Sequence, residues 1–284
     1  MPLQSRLCGL VKLYSLIFDF FQQTIMRKTY PSDLSDDQWK LISQFIPPEK
    51  SGGRPRTVDT REIMNAIFYI LRSGCQWRML PEHFPPKSTV HDYFCLLRDD
   101  GALDDMVRLL RESVRKKSGR NKTPTAAIID SQSVKTVGAI DAVGYDGGKK
   151  IKGRKRHIAV DILGLLLVVV VHSAGIQDCA GARYVLAHLS NFFVGLKIVF
   201  ADGGYTGTKL RDWLLSLSNI VLKIIKRPRK KFQVVKFRWI VERTFGWLNT
   251  QRRLSKDYEC LPSSAEAWIK LAAVNTMIRR LQPR

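Results

Sequence analysis

Three acidic residues carry the chemistry that this sequence can offer. Asp130 ends the apolar run of "AAIIDSQSVKT", and Asp202 ends that of "KIVFADGGYTG". Glu242 lies in "FRWIVERTFGWL", with Arg238 one helical turn before it and Gly246 one turn after; Asn249 and Arg253 continue that stripe. A carboxylate at the end of a buried strand is costly to ionise unless hydrogen bonds or a cation compensate. Two such aspartates on neighbouring strands repel, and need positive charge between them. Three carboxylates from two strands and a helix are an all-oxygen set suited to a pair of hard cations such as Mg2+. Two ions roughly 3.5–4 Å apart can clamp the attacking and the leaving oxygen in phosphoryl transfer. Taken singly, each acid has an ordinary explanation. Asp before glycine forms turns, and Glu beside Arg makes a helical ion pair. The three together shift the weight toward metal-assisted chemistry. Ser131 and Ser133 have no His beside them in the chain, so hydrogen bonding or packing is expected of them rather than nucleophilic attack.

The charge balance names the partner class. Lys and Arg number 47 against 25 Asp and Glu in 284 residues, a formal net charge of +22. A chain this basic selects a polyanion, and nucleic acid heads that class. The positive charge is spread along the chain rather than gathered on one amphipathic helix, which argues against a membrane surface. The densest run, "GGKKIKGRKRHI", offers Lys149, Lys150, Lys152, Arg154, Lys155 and Arg156 as phosphate contacts beside glycines that permit close backbone approach. A second run, "KRPRKKF", precedes the helix of Glu242. Five scattered cysteines form no C-x-x-C pair and no zinc spacing, which fits a reduced, cytoplasmic protein. The five histidines read as surface or packing residues.

The elements that must position the acids fall into two textures. "SDLSDDQWKLISQFIPP", "DTREIMNAIFYILRSGCQW" and the two helices split near Gly101 make residues 30–118 all-helical. "PKSTVHDYFCLLRD" is the candidate recognition helix for DNA, with Lys87, Ser88, Thr89 and His91 at its start. After the basic joint "KSGRNKTP", residues 119–284 hold five strands rich in Val and Ile, two helices between them and two closing helices. The expected fold is α/β, a mixed sheet flanked by helices behind an all-helical N-terminal domain. "LLLVVVV" does not alternate, so both of its faces should be buried. Asp130 and Asp202 stand 72 residues apart, and Asp202 and Glu242 stand 40 apart, which leaves no room for an inserted domain in the second gap. Residues 1–29 are expected to be disordered or loosely helical, with Met1–Ile25 an extension upstream of a start at Met26.

From about Tyr30 to the C-terminus, the chain resembles bacterial insertion-sequence DDE transposases of the insertion-sequence-five (IS-five) type. "LSDDQWKLISQFIPP", "GGRPRTVDTREIMNAIFYILRSGCQWRMLP", "IIDSQSVKT", "KKIKGRKRHIAVD", "FADGGYTG" and "RWIVERTFGWL" followed by "RRLSKDYE" carry the resemblance, in order. It implies an RNase H-like catalytic fold with Asp130, Asp202 and Glu242 as a triad holding two Mg2+ ions, Mn2+ being a substitute. It also implies cutting and rejoining of transposon-end DNA into target DNA, a homodimer when two ends are paired, and a place at the nucleoid. Relatives often space Tyr, Arg, Glu and Lys along the catalytic helix. Arg238 and Glu242 fit that pattern, whereas Val235 and Asn249 stand at the Tyr and Lys positions, and Arg253 is expected to supply the missing phosphate contact. A nuclease that does not join strands and a regulatory DNA-binding protein are the alternatives.

Overall fold

The computed structural model describes residues 28–47, 58–138, 140–225 and 236–283. The proposed N-terminal extension, the Gly-rich joint near 51–56 and the basic run at 226–232 lie outside the described residues. Helix α1 (Asp36–Ile42) starts from a capping box in which the Ser35 side chain accepts from the Gln38 N–H, and a 3-10 turn, Ser43–Phe45, follows it. Helix α2 (Thr60–Ser73) is capped by Asp59 and stops at Gly74, whose φ of 73° suits glycine. Helices α3 (Lys87–Asp99) and α4 (Ala102–Lys117) part at Gly101, with φ of 84°.

Strand β1 (Ala126–Lys135) opens the sheet, followed by β2 (Gly144–Asp146), β3 (Ile151–Asp161) and β4 (Leu166–Ser173). Helix α5 (Asp178–Phe192), β5 (Ile198–Ala201), α6 (Thr208–Leu217) and β6 (Val221–Ile224) come next, then α7 (Lys236–Asn249) and α8 (Pro262–Leu281). Across the sheet the order is β4–β3–β1–β5–β6, with the short β2 pairing the start of β3. β3 is antiparallel to β1 and β4, while β1, β5 and β6 run parallel. This is the RNase H-like mixed sheet. The five anticipated strands are present. β2 was not anticipated, and β3 begins at Ile151, inside the basic run.

Strand alternation divides the core. Ile128 and Phe200 face α2, α3, α4, α7 and α8, and Ala127, Ile129, Val199 and Ala201 face α5 and α6. The unalternating β4 is covered on both sides, with Val169 and Val171 in one cluster and Leu167 in the other. Its outer edge is partly closed by Glu266 of α8, which accepts the Val171 N–H at 2.8 Å. β3 approaches β1 closely at Gly153, where an added Cβ would lie 1.9 Å from the Val134 carbonyl oxygen. Gly153→Ala therefore pushes two central strands apart. We expect a loss of about 3 kcal/mol, read from the urea midpoint; a midpoint equal to wild type rejects that account.

Candidate active site

The register of two parallel strands brings the aspartates together. Ile128 pairs with Phe200 between β1 and β5. Two residues further along each chain lie Asp130 and Asp202, level with each other and on the same face. Helix α7 packs across that face against β1, β3 and β5. A small cavity there is lined by Ile128, Asp130, Phe200, Asp202, Arg238 and Val241. Each aspartate also accepts a local backbone N–H, from Ser131 at 2.7 Å for Asp130 and from Gly204 at 2.8 Å for Asp202. Burial pushes the Asp130 carboxyl up to about 6; the Ser131 N–H opposes this, and the charge of Asp202 adds to it.

Arg238 links the second aspartate to the helix acid. Its Nη1 lies 3.5 Å from Asp202 Oδ2, and its Nε donates to Glu242 Oε1 at 2.7 Å. Glu242 remains about half exposed, with 49% of its side-chain surface accessible. The structure thus brings Asp130 and Asp202 side by side and holds Glu242 one guanidinium away. Among the described residues, no group of three His, Cys, Asp or Glu side chains is disposed to hold a metal ion. Positive charge near the two carboxylates comes from Lys149 and Arg238, of which Arg238 pairs directly with Asp202.

The basic run divides in two. Lys149, Lys150 and Lys152 are exposed around the β2–β3 turn. Arg154, Lys155 and Arg156, expected at DNA phosphates, lie inside the fold instead, because β3 starts early enough to carry them into the sheet. Arg154, with no exposed surface, pairs with Asp257 at 3.3 Å, and Arg156 donates to the Leu254 carbonyl at 2.7 Å. Lys155 lies 2.9 Å from Asp178 and 3.7 Å from Asp146. Arg253, also expected at phosphate, is buried against Glu259 at 2.6 Å and donates to the Cys75 carbonyl. A buried guanidinium with internal partners cannot reach a phosphate unless the fold opens.

Sequence reasoning missed a polar network on the opposite face of β1. Ser131 donates to Asp178 at 2.8 Å and Ser133 donates to Asp146 at 2.5 Å, the hydrogen-bonding roles expected of these serines. Burial alone would raise both carboxyls, but hydrogen bonds bring them below the usual range, from Lys155 and Ser131 on Asp178 and from Ser133 and the Lys149 N–H on Asp146. His157 and His172, read as separate residues, form a buried pair 3.2 Å apart. Only the β3–β4 pairing brings them together, and no local spacing signals it.

No helix among the described residues is long and apolar enough to cross a membrane. Similar proteins exist in bacterial insertion elements. The Burkholderia cepacia "Putative transposase for insertion sequence element IS402" is 28% identical over 129 residues, which are 42% of this chain and 60% of that one. The "Insertion element IS402 uncharacterized 16.2 kDa protein" of the same organism is 31% identical over 119 residues, 39% of this chain and 78% of its own length. The "Uncharacterized protein y4sN" of Sinorhizobium fredii is 34% identical over 77 residues, 27% of this chain and 62% of that one. The chain thus spans about three fifths of the length of two of these relatives. The solved "Mos1 transposase paired-end complex with left transposon end" aligns at a TM-score of 0.24 and 13% identity, over 75% of this chain and 83% of that one, too loosely to bear on the site. The family model described as "Putative transposase of IS4/5 family" matches residues 34–107. The model described as "Transposase DDE domain" matches residues 121–276, from the entry into β1 through most of α8. That second match spans more than half of the 284 residues, and it places the chain in the Transposase DDE domain family.

Proposed function

We propose that this chain is a transposase that cuts phosphodiester bonds at transposon ends and joins the freed 3′ ends to target DNA. The observation that carries this reading is the apposition of Asp130 and Asp202 by the β1–β5 register, with Arg238 and Glu242 lying over them. The residues fit a hard divalent cation, since a pair of crowded carboxylates offers only oxygen ligands and lacks full neutralisation at Asp130. Asp130 and Asp202 would be its ligands, with Glu242, joined to Asp202 through Arg238, as the third carboxylate. A Mg2+ ion held there, or Mn2+ in its place, would supply Lewis-acid charge that favours attack of water or a 3′-hydroxyl on the phosphate. Arg238 now neutralises Asp202 and Glu242 together, and it is the cation of α7 placed to meet a phosphate oxygen. Pairing two transposon ends calls for two copies of the chain.

DNA is held in this reading by the exposed lysines. Lys150 and Lys152 line a groove with Lys135 and the exposed Tyr145, and Lys149 reaches the Ser131 carbonyl at 3.2 Å, next to Asp130. At the start of α3, Lys87, Ser88 and His91 are exposed, and with Thr89 they form the candidate surface for reading end sequence. Replacing Lys149, Lys150 and Lys152 by Ala is expected to flatten the slope of log K against log salt by about 0.9 per lost duplex contact. An unchanged slope in titrations at several salt concentrations removes these lysines from the interface.

The deciding experiment incubates the protein with Mg2+ and plasmid carrying the DNA that flanks its coding region. Cuts at the element ends followed by joined products support the proposal. Cuts without joining assign a nuclease. DNA binding with no cutting in Mg2+ or Mn2+ assigns a regulatory binder.

A further inference from the structure

Tyr205 closes the 3-10 turn, Gly203–Tyr205, that Asp202 caps, and its N–H donates back to the Asp202 carbonyl at 3.2 Å. Only 1% of its surface is exposed. The phenol points away from the acid cavity into the α5–α6 side of the sheet, where its oxygen lies 2.8 Å from His157 Nε2. His157 Nδ1 is 3.2 Å from His172 Nε2, and His172 Nδ1 is 2.9 Å from the Ser173 carbonyl.

The direction of this chain is fixed from its far end. A carbonyl only accepts, so His172 carries its proton on Nδ1 and, when neutral, accepts on Nε2. His157 must then donate from Nδ1 and accept on Nε2, which leaves the Tyr205 hydroxyl as donor. Burial supports each state, since it holds His157 down near 3, lowers His172, and keeps the proton on Tyr205 together with the nearby charges of Asp130 and Asp178. Helix α5 closes over the pair only because residue 181 is glycine; a Cβ there would lie 2.5 Å from His172 Nε2 and 2.9 Å from His157 Nδ1.

We infer that Tyr205 is a positioning residue, whose hydroxyl, anchored through His157 and His172 to β3 and β4, fixes the Asp202 turn in register with Asp130. The inference rests on the reading of these two aspartates as the reacting acids. β5 ends at Ala201, so the backbone of Asp202 lies beyond the last ladder pair and needs another tie to the sheet. The tyrosine provides it two strands away, across β1.

Tyr205→Phe removes the hydroxyl, and with it both the hydrogen bond to His157 and the contact with the Ser131 side chain; the His157 variants below separate the two. In that variant the Gly204 amide resonance, which reports the hydrogen bond to Asp202, is expected to shift and broaden. Titration with Mn2+ alone should show about tenfold weaker binding, with duplex DNA affinity unchanged. His157→Gln, whose side-chain oxygen can accept from Tyr205, should restore much of the wild-type behaviour, and His157→Leu should match Tyr205→Phe. Nitrogen-15 spectra of the wild type should show both histidines neutral with the proton on Nδ1. A Gly204 resonance unchanged in Tyr205→Phe, or a proton on His157 Nε2, overturns the inference. A wild type that takes up no Mn2+ sinks the reading of the acids instead, and the Gly204 resonance still decides the role of Tyr205.

Discussion

Asp202→Asn is expected to cut transposon-end cleavage by about three orders of magnitude while leaving binding of the same DNA intact. Asparagine keeps the shape of the side chain, and its oxygen can still accept the Gly204 N–H that orders the turn. What is lost is one of two adjacent charges. Metal-assisted stabilisation of a phosphoryl transition state amounts to several kcal/mol, and about 4 kcal/mol corresponds to a thousandfold. Arg238 loses its strand partner but keeps Glu242, so α7 stays in place. Binding is spared because the exposed lysines lie around the β2–β3 turn, on neither β5 nor α7. Single-turnover cleavage and gel shift at matched protein concentration measure the two properties separately. Cleavage within tenfold of wild type would remove Asp202 from the reacting centre.

The two aspartates stood out in the sequence because each ends a short apolar run, but only Asp202 lies at the end of its strand; Asp130 sits in the middle of β1, which stays paired with β3 as far as Lys135 because its polar residues continue the ladder. Glu242 and Arg238 were legible as a helical pair four residues apart. The buried fate of the basic run was not. Arg154 finds its carboxylate 103 residues later, at Asp257, and Lys155 finds Asp178 across a strand and a turn. A run of cations shows its charge in sequence, but whether it meets solvent or distant acids depends on pairings that local spacing does not encode. The same holds for the Tyr205–His157–His172 chain, whose members come from a turn and two antiparallel strands. "LLLVVVV" was legible as doubly covered, since apolar side chains on both faces of a strand leave neither free for water.

Trp268→Ala is expected to destabilise the whole chain by about 3–5 kcal/mol, the range for removing a large aromatic side chain from a core. Trp268 has no exposed surface. Its ring stacks on Phe94 of α3 at 4.6 Å, lies 5.7 Å from Trp77, and sits beneath the Arg253 guanidinium at 5.4 Å. Its Nε1 has no hydrogen-bond partner, so the indole acts through volume and contact rather than as a donor. Those contacts join α8 to the N-terminal helices, and the same apolar cluster continues through Val169 and Ile128 to the sheet. A cavity at residue 268 therefore loosens the helical and sheet portions together. Urea unfolding followed by far-ultraviolet circular dichroism should show one transition moved to lower denaturant with its slope unchanged. Trp268→Phe, which fills part of the cavity, should recover part of the loss. Two separate transitions, with only the earlier one moved, would mean that the helices at 36–117 unfold independently of the sheet. The placement of Asp130 would then owe nothing to the helices at 36–117. A single transition ties the geometry of the acids to the packing of a helix that follows all three of them in the chain.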